Sequence, residues 1–136
     1  MKFKILEHTA DGKFQAFGKT LEEAFENSAL AMLSLMTNDK IKERIKKKIK
    51  VKGKDLKQLL YNFLEEILFL LDSNNFILSK INKIKINKEK LILEADLSGD
   101  NVKNYEIFGD VKAVTYNSME IKKERGKFII QVIVDM

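Results

Sequence analysis

The sequence contains no cysteine and no proline, and His8 is its only histidine in 136 residues. Without cysteine, disulfides and thiolate metal sites are excluded, a composition that fits a cytoplasmic protein. The 6 glycines match neither a Walker nor a dinucleotide-binding spacing, which argues against a glycine-rich phosphate loop. No serine lies in a nucleophile-elbow pattern, so Ser-His-Asp catalysis has no support in the sequence.

Long apolar runs are missing as well. The longest is ILFLL at 67–71, far below the roughly 20 residues that a membrane-spanning helix needs. The apolar part of MKFKILEH, at the start, is too short for a secretory signal. We therefore expect a soluble cytoplasmic protein that has no membrane partner.

Hydrophobic residues make up 45% of the chain and charged residues 33%, enough apolar material for one core. We expect a single domain over residues 1–136, because this is close to the commonest domain size. The net charge of +5 is compatible with a nucleic-acid partner. A solvated surface that is rich in lysine explains the same charge, and it is the commoner case.

Two segments have the three- and four-residue apolar spacing of amphipathic helices. The first covers 20–36 and begins with Thr20 and Glu23, the pattern of a capping box. The second begins after Asp55 and ends near DSNN at 72–75, residues that favour turns.

The other periodic segments alternate as strands do. We predict strands over 2–6, 13–17, 44–52, 81–87, 90–97, 111–121 and 127–134. The last of them, FIIQVIVD, is apolar at nearly every residue, which is typical of a central strand. The expected fold is α+β, with two layers: a mostly antiparallel β-sheet and two amphipathic helices packed on one face.

Carboxylates near both ends of the sequence can form a site for a hard cation. Asp11 follows His8 in a short turn, and Asp135 precedes Met136 at the end of the predicted central strand. Calcium and magnesium prefer such oxygen ligands. Backbone capping is the more frequent role of a turn aspartate, and a lone histidine is more often a hydrogen-bonding support than a ligand. The residues alone do not decide between a cation site and these two alternatives.

A run of lysines between 40 and 54 places Lys46, Lys48, Lys50 and Lys52 on one face of a predicted strand. We interpret it first as a charged edge strand that resists pairing with other chains. The alternative is a stripe that contacts RNA phosphates. No aromatic residues are interleaved with the lysines, so base stacking has no support.

Five segments together resemble the archease family in order and spacing, and they run from near the start of the chain to its last residue. They are HTADGKFQAFG (8–18), TLEEAFENSALAMLSLMT (20–37), GKDLKQLLYNFLEEILFLLD (53–72), VKAVTYNSMEI (111–121) and QVIVDM (131–136). Archeases are small metal-binding proteins that activate the GTP-dependent RNA ligase of tRNA splicing and RNA repair. They are not enzymes themselves. The resemblance implies that this chain promotes the ligase's guanylylation and multiple turnover. It also implies that any interaction of the chain with tRNA or RNA ends is indirect.

The resemblance also implies roles for particular residues. Asp11 and Asp135 match the family's metal ligands, and Met136 matches a third through a main-chain or terminal oxygen. The expected cofactor is a divalent metal ion: calcium, magnesium or manganese. Lys112 matches a family lysine that can contact a phosphate or an acidic partner surface. His8 matches the first residue of the HTAD motif, where it would support the turn.

The sequence departs from the family's pattern at three places. Asn38 stands where members often have aspartate, with Asp39 one position later, which weakens Asp39 as a ligand. Tyr105 and Asn117 stand where many relatives have histidine. Two other functions stay open: a stand-alone metal-dependent phosphoesterase with His8 as its base, and a chaperone for RNA-modifying enzymes.

Overall fold

The structure, a computed structural model, describes residues 1–7 and 11–136. His8, with the supporting role expected of it, lies outside the described residues. The chain forms eight strands and two helices in these ranges: β1 Phe3–Leu6, β2 Gly12–Gly18, α1 Leu21–Ser34, β3 Ile45–Lys52, α2 Leu56–Asn74, β4 Phe76–Asn87, β5 Ile92–Asn101, β6 Ala113–Val114, β7 Glu120–Glu124 and β8 Lys127–Asp135.

The strands form two antiparallel sheets. One has the order β1-β2-β8-β6, with β7 also paired to β8, and the other has the order β3-β5-β4. The predicted α+β class with antiparallel pairing is confirmed. The division of the strands into two sheets is a feature that the sequence analysis did not anticipate. The expected central position of the last strand is also confirmed, since β8 pairs with β2 on one side and with β6 and β7 on the other.

Both helices begin where the capping residues predict. The backbone N–H of Glu23 donates to Thr20 Oγ1 over 3.1 Å, and that of Gln58 donates to Asp55 Oδ1 over 2.8 Å. The second helix runs through DSN to Asn74 and ends at Asn75, which adopts the left-handed conformation at φ 55°. Asparagine tolerates that conformation better than most residues, so it can end a helix as glycine does.

Helices and sheets share one core, because both helices contact strands of both sheets. Its largest side chains include Phe14, Phe25, Phe63 and Phe76, all almost fully buried. The rings of Phe25 in α1 and Phe63 in α2 lie 6.0 Å apart. The apolar spacing in the sequence therefore identified the helix faces that lie in the core.

The predicted single strand over 111–121 is wrong. It is two short strands, and the backbone N–H of Met119 donates to Tyr116 O over 3.1 Å in the turn between them. The reason is a change of register: Val114 lies opposite Val134, whereas Glu120 lies opposite Gln131. The residues between the two strands absorb this offset, and Ser118 takes a positive φ of 51° in doing so.

None of the helices that the structure describes has the length and apolar character needed to cross a membrane.

Candidate metal centre

The pairing of β2 with β8 brings the two predicted carboxylate ligands to one end of the larger sheet. Gly12, which follows Asp11, lies opposite Val134, which precedes Asp135, at the end of the paired register. Facing residues of an antiparallel pair have Cα atoms about 4.5–5.5 Å apart. The pairing of Gly12 with Val134 therefore brings the chain segments that carry Asp11 and Asp135 to the same end of the sheet.

The side chain of Met136 is partly buried against the core, and two glycines show where it lies. A Cβ atom added to Gly12 would lie 3.0 Å from Met136 Sδ, and one added to Gly109 would lie 3.2 Å from its Cε. The side chain thus fits between these two glycines. The side chain of Met136 is therefore packed next to Gly12, the residue that follows Asp11.

Lys112 reaches the same end of the sheet through its backbone. Its N–H donates to Asp135 O over 2.8 Å, and the next residue, Ala113, lies opposite Asp135 in the sheet. The side chain of Lys112 is exposed. The backbone of Lys112 is therefore fixed to Asp135, and its ammonium group is open to solvent.

Asp39 holds the loop that leads to Lys112 and Asp135. Its Oδ2 accepts from the N–H of Glu106 over 2.9 Å, and the hydroxyl of the nearby Thr37 donates to Glu106 O over 2.7 Å. Two residues further on, the N–H of Phe108 donates to Met36 O over 2.9 Å. Asp39 thus acts as an anchor for the segment 105–112, a role that agrees with its weaker standing as a ligand.

Tyr105 begins the same segment, at a position where relatives often have histidine. Its hydroxyl donates to Asp100 Oδ2 over 2.5 Å and accepts from the N–H of Lys42 over 2.9 Å. The hydrogen bond from Tyr105 is the main cause that lowers the pKa of Asp100 below its ordinary value, while burial raises the pKa of Tyr105. Tyr105 therefore links Asp100 to the backbone of Lys42 through hydrogen bonds. Because the residue is a tyrosine, this position supplies no imidazole ligand.

Three residues of the segment 105–112 were not identified from the sequence. Asp110 is an exposed carboxylate between Gly109 and Lys112, and Ile107 and Phe108 are exposed apolar side chains. Phe108 is 64% exposed, which is unusual for a phenylalanine in a folded chain. Their only sequence signal is their position just before VKAV, because no periodicity marks an irregular loop.

The donors at this end of the sheet determine which ions could bind there. Within residues 1–7 and 11–136, no group of three or more His, Cys, Asp or Glu side chains lies close enough to hold a metal ion. The available set is two carboxylates together with backbone oxygens such as that of Met136. An all-oxygen set fits a hard cation such as calcium, magnesium or manganese, and it does not fit ions that prefer sulfur.

Comparison with known proteins agrees with the resemblance of the motifs. The model of the Archease protein family (MTH1598/TM1083) matches residues 3–136. Protein archease of Methanosarcina mazei is 35% identical over 99% of this chain and 96% of its own length. Protein archease of Methanothermobacter thermautotrophicus is 38% identical over 98% of each chain.

Solved structures show the same fold. The solution structure of Methanobacterium thermoautotrophicum protein 1598 covers 99% of both chains at a TM-score of 0.86 and 36% identity. A crystal structure from Thermotoga maritima, described as an archease and possible chaperone, has a TM-score of 0.66 at 18% identity and covers 98% of this chain and 96% of its own. The family match over almost the whole chain and the full-length relatives lead to one conclusion: this chain belongs to the archease family.

Proposed function

We propose that this chain is a metal-binding activator of the GTP-dependent RNA ligase that joins 3′-phosphate and 5′-hydroxyl ends in tRNA splicing and RNA repair. One observation carries the proposal: in an archease-family chain, the β2–β8 register brings Asp11, Asp135 and Met136 to one end of a sheet. A protein that activates another protein needs a site at its surface, and Asp135 is exposed there.

The three residues would hold a divalent cation through carboxylate and backbone oxygens. When bound, the cation supplies positive charge that can neutralise phosphate oxygens of a nucleotide. Other residues of the chain hold the segments that carry the two carboxylates. The Met136 side chain packs against Gly12, the residue that follows Asp11, and the N–H of Lys112 holds the backbone of Asp135. Calcium, magnesium and manganese all remain candidates for the ion.

The exposed Ile107 and Phe108 favour a protein as the partner. They lie on the segment that continues directly into Gly109 and Lys112, and hence next to the carboxylates. Exposed aromatic side chains beside a polar site are typical of protein-binding surfaces. We propose that this segment contacts the ligase while the carboxylate end faces its nucleotide site, where it promotes guanylylation and multiple turnover.

The test is stimulation of ligase guanylylation by purified variants. Asp11→Ala and Asp135→Ala should each reduce the stimulation by at least about tenfold, the scale of loss expected when metal coordination is disturbed. Asp72→Ala removes an exposed aspartate at the end of α2 and is the matched control, which should stimulate as the wild type does. Full stimulation by both site variants would contradict the proposal.

Metal binding can be measured without the ligase. At a calcium, magnesium or manganese concentration about 100 times its Kd, the ion that binds should stabilise the wild-type chain by about 2.7 kcal/mol. The same titration should not shift the melting temperature of the Asp135→Asn variant. If none of the three ions changes the thermal stability of the wild type, the metal part of the proposal is wrong while the activator part remains testable.

A second candidate function is a chaperone for RNA-modifying enzymes. It is favoured by the description of the Thermotoga maritima relative as a possible chaperone and by the exposure of Phe108. The variants separate the two functions, because prevention of enzyme aggregation does not require the carboxylates. The chain acts as a chaperone if the wild type and the Asp135→Ala variant protect the ligase from aggregation equally well, and if the wild type does not stimulate guanylylation. The phosphoesterase alternative depends on His8, which lies outside the described residues.

A further inference from the structure

The outward side of the smaller sheet is strongly basic. Inward residues of its strands, such as Val51, Leu93 and Leu97, are buried in the core, so the alternate residues point away from the helices. We call this outward side the lysine face. It carries six lysines on the two outer strands, β3 and β4: Lys46, Lys48, Lys50, Lys52, Lys83 and Lys85.

The register arranges these charges in rows across the sheet. Lys48 and Lys83 lie opposite Asp96 from its two sides, and Lys50 and Lys85 lie opposite Glu94 in the same way. Each of these two carboxylates is thus flanked by two lysines. Cross-strand pairing can neutralise only one lysine in each row.

The balance of charge on the lysine face is therefore positive. Six lysines against Glu94 and Asp96 leave an excess of four, since the third outward carboxylate of β5, Asp100, is buried and paired with Arg44. Within the described residues, Lys48, Lys52, Lys83 and Lys85 form no ion pair or side-chain hydrogen bond, whereas Lys50 Nζ lies 3.9 Å from Glu94 Oε1. The net charge is therefore concentrated on one surface instead of being spread over the molecule.

The spacing and chemistry of the lysine face point to one class of ligand. Alternate residues of a strand lie about 6.7 Å apart, so β3 presents its four lysines as a regular linear row. The outward positions of β5 are Ile92, Glu94, Asp96, Ser98 and Asp100, and only the half-buried Ile92 is apolar. A protein-binding surface usually needs a buried apolar centre, and this face does not have one. Repeated phosphates need only the row of cations.

We propose that the lysine face binds the phosphodiester backbone of a nucleic acid without reading its bases. Aromatic residues are absent from the outward positions of these three strands, so the contacts are made by lysine ammonium groups alone. The binding is electrostatic and therefore sensitive to salt, and it does not distinguish RNA from DNA. This inference goes beyond the proposed function and does not depend on it. The face consists of β3, β4 and β5, whereas the carboxylate end belongs to β2 and β8.

The test measures binding by the purified chain alone, with fluorescently labelled single strands of about 20 uridines or thymidines. Fluorescence anisotropy should give a Kd on the order of 10⁻⁴–10⁻⁶ M at physiological salt, similar for the RNA and the DNA. In the triple variant Lys48→Gln, Lys83→Gln and Lys85→Gln, the binding should weaken at least about tenfold at low salt. The slope of log K against log salt should fall by about 2, since each phosphate contact on a single strand contributes about 0.7.

A matched control removes the same charge elsewhere. Lys4, Lys19 and Lys57 are exposed lysines outside the lysine face, and their triple replacement by glutamine should leave the affinity within about twofold of the wild type. The triple Lys→Arg variant of the face should bind as the wild type does, because it keeps the charges. Equal losses in the two glutamine triples would show that only net charge matters, and would overturn the proposal.

Two further results would also overturn it. If polyglutamate of matched charge binds the chain as tightly as the single strands do, the lysine face is a site for acidic proteins. If the face triple aggregates more than the wild type but binds nucleic acid equally well, the lysines serve only to protect the edges of the sheet.

Discussion

At the scale of single residues, Asp100 is the charged side chain that is most enclosed by the fold. It is 2% exposed and accepts hydrogen bonds from the Tyr105 hydroxyl, the N–H of Asn101 and Arg44 Nη1. These donors stabilise the ionised carboxylate, and they lower its pKa, with the Tyr105 bond as the largest cause. A buried charge is acceptable here because it is fully hydrogen-bonded.

The lowered pKa predicts how stability changes with acid. A carboxylate with a depressed pKa in the folded state stabilises the fold above its ordinary pKa of about 4, and this contribution is lost as the pH falls through the folded-state value. We expect Asp100→Asn to lower the urea midpoint at pH 7. The difference from the wild type should shrink as the pH falls below about 4.

The measurement is urea unfolding of both proteins from pH 7 down to pH 3, with Asp72→Asn as the exposed control. The control should follow the wild type at every pH. A gap between Asp100→Asn and the wild type that is constant over the whole range would mean that the charge of Asp100 makes no contribution to stability.

At the scale of the elements, the start of α1 depends on one hydroxyl. Thr20 Oγ1 accepts from the N–H of Glu23, and Glu23 Oε1 accepts in turn from the N–H of Lys19 over 3.0 Å. Thr20→Ala removes one partner of this reciprocal pair and should lower the free energy of unfolding by about 1 kcal/mol.

Denaturant unfolding monitored by circular dichroism measures this cost. Thr20→Ser keeps the hydroxyl and should retain most of the stability, while Lys19→Ala alters only an exposed neighbour. If Thr20→Ala is as stable as Thr20→Ser, the capping bond does not contribute to the fold.

The elements also show why some features could be predicted and others could not. Helix starts and buried faces depend on residues close in sequence, such as Thr20 with Glu23, so local patterns identify them. The break between β6 and β7 depends on the registers that both strands adopt against β8, which are set by long-range pairing. No local pattern in VKAVTYNSMEI contains that information.

The candidate site divides in the same way. Asp11 and Asp135 were identified from their chemistry and from a predicted central strand, and the structure pairs their neighbours Gly12 and Val134. Ile107, Phe108 and the anchoring role of Asp39 were missed, because they depend on the path of the loop over 105–112. On the lysine face, the four lysines of β3 were identified from their alternation, whereas Lys83 and Lys85 of β4 were missed, since their place requires β3 and β4 to flank one middle strand.

At the scale of the whole molecule, the two sheets are joined by shared contacts. Glu65 Oε2 of α2 accepts from the N–H of Val114 in β6 over 2.7 Å. Tyr61 of α2 stacks on Tyr116, with ring centroids 4.5 Å apart and planes at 8°. One helix thus contacts the smaller sheet and is also fastened to the larger one.

This shared core predicts that the molecule unfolds in one cooperative transition, which also tests the expectation of a single domain over 1–136. Near-ultraviolet circular dichroism follows the stacked tyrosines, and the far-ultraviolet signal follows the helices. The two urea midpoints should coincide within error. Separate midpoints would show that the two sheets belong to independently folding units.

The central position of β8 has a consequence for the order of events during folding. Its pairing with β2 joins residues as distant as Gln15 and Gln131, whose side chains form a hydrogen bond across a separation of 116 positions. Closing so long a loop costs entropy before any contact repays it, and folds with such distant pairings form slowly. That same pairing joins Gly12 to Val134, and so brings the segments that carry Asp11 and Asp135 to one end of the sheet. A ligand that needs both segments would therefore bind only chains in which β2 and β8 have already paired.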